Sequence, residues 1–166
     1  MNIYEFTDEK GNDVIVLDKD NPPLSNNEII NKAVKMTLEN IDNKDLQSSY
    51  RKMHEDEDCN PLFGHCFVAT EVLWELLKEQ NITEYMPHQI QHEEISHWFL
   101  RHMKNGDIID VTAGQFKTPV PYYRRGSNNK TGRRNSMMRT SDTPTKRTIK
   151  VLKRIKNLEK ILSEVN

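Results

Sequence analysis

Apolar positions along this chain recur at two periods, and each change of period marks an element. Residues 1–18 read as a hairpin, with NIYEF and VIVL on either side of a DEKGND turn. After a loop punctuated by Pro22 and Pro23 the spacing becomes helical. Ile29, Ile30, Ala33, Val34, Leu38 and Ile41 form one stripe, and Ser25-x-x-Glu28 is a capping box that predicts where this scaffolding helix opens. Asp42–Met53 is polar, with room for a short helix, and His54–Asp58 (HEDED) is an acidic run expected in a solvated loop. Asn60, Pro61 and Gly64 are turn residues that separate this region from a second helix. That helix is CFVATEVLWELLKE, with Cys66, Ala69, Val72, Leu73, Leu76 and Leu77 on its apolar face and Glu71, Glu75 and Lys78 on the remainder.

Gln80–Ile95 reads as a connector. Ser96–Met103 (SHWFLRHM) alternates and is rich in aromatics, Asp107–Thr112 (DIIDVT) is a second strand-like run, and Lys104–Gly106 turns between them. Thr118–Tyr123 (TPVPYY) is extended or turn-like and could wall a cleft with its tyrosines. Arg124–Thr143 is polar, glycine-punctuated and basic, as a loop would be. Thr143 and Pro144 fit the cap and first position of a last helix, which runs to about Glu164 with Ile149, Leu152, Ile155, Leu158, Ile161, Leu162 and Val165 as its apolar face. The pattern predicts an α+β fold in which a cysteine-bearing buried helix packs on a small antiparallel sheet. It divides into a body over 1–123, a basic loop over 124–143, and a basic amphipathic helix over 144–166 that either joins the body or pairs with a second copy.

A length of 166 residues suits one domain, and 35% apolar with 30% charged residues describes a soluble protein with a modest core. No stretch approaches the ~20 apolar residues of a membrane span, and no signal-peptide core is present, so a cytoplasmic location is expected. Cys59 and Cys66 are expected as two thiols with no disulfide between them. Charge is divided unevenly. Residues 1–116 hold 10 Lys+Arg against 22 Asp+Glu, and residues 117–166 hold 14 against 3. Either the basic third lies across the acidic body, or it meets another polyanion, nucleic acid or an acidic protein, through Arg124, Arg125, Lys130, Arg133 and Arg134.

The chemistry suggested by these elements centres on Cys66. In the first turn of a helix, unsatisfied N–H groups and the positive end of the dipole stabilise an anion, and the thiolate is the form that attacks. Alone, such a cysteine is more often a small apolar core residue. His97 at the entry of the first strand and Asp110 in the second change that reading. A nucleophile, a general base and a group that orients the base follow in that order. Strand register decides whether the last two can meet. A two-residue turn at Asn105-Gly106 would pair Asp110 with Arg101 and leave it ~13 Å from His97 along the strand. A four-residue loop, Met103–Gly106, pairs Asp110 with Phe99 and makes His97 a diagonal neighbour at ~7–8 Å between backbones, within side-chain reach. A three-residue loop would put the two on opposite faces. The triad reading therefore predicts the four-residue loop.

Of the neighbours, His65, Gln115 and Trp98 are expected to line the site, Trp98 by packing rather than by touching substrate. Histidines at 88, 92, 97 and 102 invite a metal reading, with His88 and His92 sharing a helix face. Without a CxxC or HExxH signature, surface histidines are the expectation, and neither a metal nor a cofactor is called for.

The motifs GHCFVAT, SHWFLR, GDIIDVT, QF, PVPY and PTKR, in that order from about Asn60 to Ile155, resemble the YunG-like proteins of bacteria and their phages. More distantly, SHWFLR and IIDVT are similar to the histidine and aspartate strands of transglutaminase-like and papain-like enzymes. The chain departs from the YunG-like pattern after Tyr122, where a basic insertion replaces a shorter stretch. The resemblance implies a cysteine hydrolase or acyltransferase core with Cys66, His97 and Asp110 as its triad. It also implies that Asn60, six residues before the nucleophile, stands where papain-like enzymes carry the glutamine that donates to the oxyanion, though a turn-forming Asn before Pro61 is the plainer role. Substrates would be protein, peptide or small amide. The alternative is a non-enzymatic phage or bacterial accessory protein that binds nucleic acid or an acidic partner through its basic third.

Overall fold

The computed structural model describes residues 2–7, 13–18, 27–118, 120–122 and 143–165. Ser25 and the basic residues Arg124, Arg125, Lys130, Arg133 and Arg134 lie outside them. The fold is α+β. Its elements in chain order are β1 (Asn2–Thr7), β2 (Asp13–Asp18), α1 (Glu28–Asn40), α2 (Ser48–Met53), α3 (Cys66–Glu79), β3 (Tyr85–His92), β4 (Ile95–His102), β5 (Ile108–Asp110) and α4 (Lys146–Val165). A 3-10 turn at Asn43–Asp45 precedes α2, and another at Ala113–Gln115 follows β5. One sheet runs in the order β1-β2-β5-β4-β3. Its pairings are antiparallel except for β2 with β5, which are parallel. The short strand β5 is therefore central, hydrogen-bonded on both edges.

Helices α1, α3 and α4 share a core with one face of this sheet: Val34, Val72, Leu73 and Leu77 meet Leu100, Ile109 and Val111, and Val151 and Ile155 of α4 complete it. Each such side chain, removed from water, contributes roughly 1.5–3 kcal/mol. On the other face a smaller cluster joins Ile90, Phe99, Ile108 and Tyr122, with Phe116 against it. Alternation along β4 and β5 explains the division: Leu100 and Ile109 point to the helices, Phe99 and Ile108 away from them.

Several local expectations shift by a turn or a face. Asn27 caps α1, its Oδ1 accepting from the N–H groups of Ile29 and Ile30. Thr37 takes a core position beside Leu38, its hydroxyl donating to the Ala33 carbonyl, whereas Ile29 is exposed. Tyr85–His92 is a strand rather than a connector, so His88 and His92 are buried in the sheet and share a strand face. The sequence hides it because Pro87 and four polar residues interrupt the alternation. Helix α4 begins later than Thr143-Pro144 suggests. Thr145 is its cap, the carbonyl accepting from the Ile149 N–H.

Glu71 is not on a solvated face of α3 but fully buried. Its Oε1 accepts from both the N–H (2.9 Å) and the hydroxyl (2.8 Å) of Thr145. A carboxylate at the first turn of a helix is favourable for the amides and for the dipole alike, and this contact fixes where α4 starts. Farther along, Arg154 pairs with buried Asp45, and Lys156 with Glu79 at 3.1 Å. This part of the basic third therefore lies across the acidic body. The apolar stripe of α4 outruns its partners, leaving Leu158, Ile161, Leu162 and Val165 exposed.

Candidate active site

Cys66 is the first residue of α3, and the chain reaches it through a turn that only glycine makes easily. Gly64 has φ +83°, and a Cβ there would come within 3.0 Å of the Tyr50 ring. The first amides of α3 have no acceptor one turn back and surround Cys66. Helix α3 lies along β4: the Cys66 thiol faces the Ser96 carbonyl at 3.6 Å, and the Thr70 hydroxyl donates to the Trp98 carbonyl at 3.1 Å. Four helical residues advance about 6 Å and two strand residues about 6.6 Å, so the two contacts stay in step. The cysteine is thereby held at the start of β4, beside His97.

His97 and Asp110 meet as the four-residue loop requires. Leu100 pairs with Ile109 and Arg101 with Ile108, so the same register sets Asp110 opposite Phe99. The His102 N–H donates to the Asp107 carbonyl at 2.8 Å and closes the loop. The His97 Nε2–H donates to Asp110 Oδ2 at 2.6 Å, and both side chains are fully buried. Asp110 has two further donors. The Tyr122 hydroxyl reaches the same Oδ2 at 2.7 Å, and the Thr112 N–H reaches Oδ1 at 3.2 Å. Phe116 stands edge-on to the imidazole, with ring centroids 4.7 Å apart. Nε2 is engaged by Asp110, and Cys66, held against the Ser96 carbonyl next to His97, acts on the imidazole electrostatically.

Burial alone would push the imidazole toward its neutral form. The Asp110 charge and hydrogen bond, with smaller contributions from Cys66, outweigh it and raise His97 from 6.5 to about 9. His97 is therefore the cationic partner of a carboxylate on one side and of a sulfur on the other at neutral pH.

Cys66 opens onto a cleft of about 420 Å³. Gln115 and Trp98 line it as the sequence suggests. Gln115 Nε2 donates to the Thr112 carbonyl at 3.1 Å and lies 3.5 Å from His97 Nδ1. Trp98 is buried against Cys66 and Phe67. His65 does not line it. Its ring turns away from the cysteine, Nε2–H donating to Asn43 Oδ1 at 3.0 Å, with the His54 ring 5.8 Å off. Burial, then the His54 charge, push His65 down to about 4. Neighbouring residues on a helix diverge by about 100°, which sends His65 to the opposite side from Cys66.

Asn60 is likewise committed elsewhere. Its Oδ1 accepts from the Leu62 N–H at 2.9 Å and its Nδ2 donates to the Gly114 carbonyl at 3.0 Å. The residue ties the cysteine turn to the turn after β5, and it is not among the cleft residues. Four participants escaped sequence reasoning. Tyr122 belongs to a stretch suspected only of walling a cleft. Gln89 sits in the unrecognised strand. Thr145 and Arg147 reach the site from α4, far away in the chain. Cys59 remains a free thiol, raised by burial and by the nearby Asp56 charge.

Among the described residues no three His, Cys, Asp or Glu side chains are grouped to hold a metal ion, and no helix is long and apolar enough to cross a membrane. Compared with models of known families, with curated proteins and with solved structures, the chain finds no match in any of the three.

Proposed function

We propose that the protein is a cysteine hydrolase or acyltransferase of the peptidase, deamidase or amidase type. The observation that carries this reading is the buried His97–Asp110 hydrogen bond of 2.6 Å, next to a cysteine that opens a helix and is held at the Ser96 carbonyl. Cys66 reacts as the thiolate, paired with the imidazolium of His97 that carries the proton. The sulfur attacks the substrate carbonyl carbon, and the charge that develops on oxygen faces the Cys66 backbone N–H. Collapse breaks the C–N bond, and the amine leaves with the proton from His97. Water, activated by the now neutral imidazole, attacks the thioester and releases the acid; an amine in place of water gives transamidation. Asp110 keeps Nε2 protonated and the ring in place, and Tyr122 and Thr112 keep Asp110 in place. A papain-like or transglutaminase-like core, and kinship with YunG-like proteins, are the finer parts of this reading.

An activated acyl ester tests it without knowledge of the natural substrate. A short-chain p-nitrophenyl ester should leave its acyl group on the peptide containing Cys66, detected by mass, and water or an added amine should then remove it. Cys66→Ser should show no such adduct, and His97→Ala should form it on the order of a hundredfold more slowly. Acylation confined to Cys59 and surface lysines, unchanged in both variants, would contradict the proposal. Salt-sensitive binding of nucleic acid that survives Cys66→Ala would then favour the accessory-protein alternative.

A further inference from the structure

The cleft has a charge pattern of its own. Around it the lining is neutral, Tyr50, Phe67, Trp98 and Ser96 among it, with no carboxylate, and Arg147 is its only charged residue among those described. Arg147 sits half-buried one position inside α4, and no hydrogen bond or ion pair engages its guanidinium among the described residues. Glu71 Oε1 is occupied by Thr145, two residues before Arg147.

A second polar group waits in the same cleft. Gln89 lines it too, is only 6% exposed and faces Trp98 across the strand pair. Its amide offers a donor to whatever occupies the cleft.

Resting on the cysteine-enzyme reading above, we infer that Arg147 and Gln89 form a subsite for a carboxylate on the substrate, so that the protein acts on amides bearing an acidic group near the scissile carbonyl. The guanidinium fork matches a carboxylate through two parallel N–H···O bonds. The Gln89 amide supplies a further donor. Glu71 acts as a positioning residue, because its hold on Thr145 sets the first turn of α4 and with it Arg147. The acidic HEDED run, which would favour cationic substrates if it bordered the site, contributes nothing to the cleft lining.

Paired alkylating reagents test this inference. N-iodoacetyl-glycine and N-iodoacetyl-β-alanine carry a carboxylate at two spacings, and their terminal amides are neutral counterparts. In every case the Cys66 sulfur displaces iodide and forms a C–S bond. At fixed low ionic strength the carboxylates should modify Cys66 about tenfold faster than the amides at one spacing or both. Arg147→Gln should reduce the ratio toward one, Arg147→Lys should restore part of it, and Gln89→Ala should lower it. The imidazolium of His97 also attracts anions, and any preference that survives Arg147→Gln unchanged belongs to it and overturns the subsite. Brisk modification by both members of each pair, with no preference, overturns the subsite alone. Equally slow modification of Cys66 by all four reagents, no faster than of Cys59, overturns the cysteine-enzyme reading and the subsite with it.

Discussion

Asp110→Ala is expected to destabilise the fold by about 3–5 kcal/mol, the cost of removing one partner from a buried charged pair. The reason lies in what the substitution leaves behind. His97 is fully buried and Tyr122 is 5% exposed, and the Nε2–H of one and the hydroxyl of the other both end on Asp110 Oδ2. Without the carboxylate each is a buried donor with no acceptor, and the Thr112 N–H loses its bond to Oδ1 as well. For a domain of this size the loss corresponds to a fall in Tm of roughly 10 °C, which thermal or urea unfolding would measure. Tyr122→Phe removes a single donor from the same carboxylate and should cost only about 1 kcal/mol. An Asp110→Ala variant as stable as the parent would mean that the pair is solvated and carries no energetic weight.

The second large effect is on the pH dependence of stability. His97 binds its proton more tightly folded, at about 9, than unfolded, at 6.5. Its contribution is therefore fully present below pH 6.5 and is lost as the pH rises through about 9, an effect on the order of 3 kcal/mol. His65 acts in the opposite sense at the other end. Held down at about 4 against 6.5 unfolded, it contributes above pH 6.5, and that contribution is lost as the pH falls toward 4. Unfolding free energies should thus peak near pH 6.5 and decline on both sides. Asp110→Asn should flatten the alkaline limb, and His65→Gln the acid limb. An alkaline limb that persists unchanged in Asp110→Asn would assign it to other groups.

How much of this was legible in the sequence differs by element. Helix α3 and strand β4 carry clear periodicity, which places Cys66, whereas the register of His97 with Asp110 followed only on the condition that the two form a triad, three loop lengths being open. The decisive feature was loop length, since Met103–Gly106 puts both side chains on one face of the sheet. Strand β3 was opaque because its outward-facing and inward-facing residues are both partly polar, and His88, Gln89 and His92 are buried by pairing with β4 rather than by hydrophobicity. Asn60 and His65 mislead for a related reason. Separation along the chain gives proximity to Cys66 but not direction, and direction is set by the turn at Gly64 and the helical twist. Glu71 shows the limit most clearly: a glutamate on a helix reads as solvated until an unrelated helix end, capped by Thr145, is brought to it by tertiary packing. No local pattern announces such a contact, nor the arrival of Arg147 at the cleft.

The most direct test of the account is the rate at which iodoacetamide modifies Cys66 relative to Cys59 between pH 5 and 9. If His97 takes the thiol proton, Cys66 should react at least tenfold faster than Cys59 at pH 6, and His97→Ala should abolish that advantage. Two rates that rise together toward the ordinary thiol range near ~8.5, indifferent to His97→Ala, would contradict it.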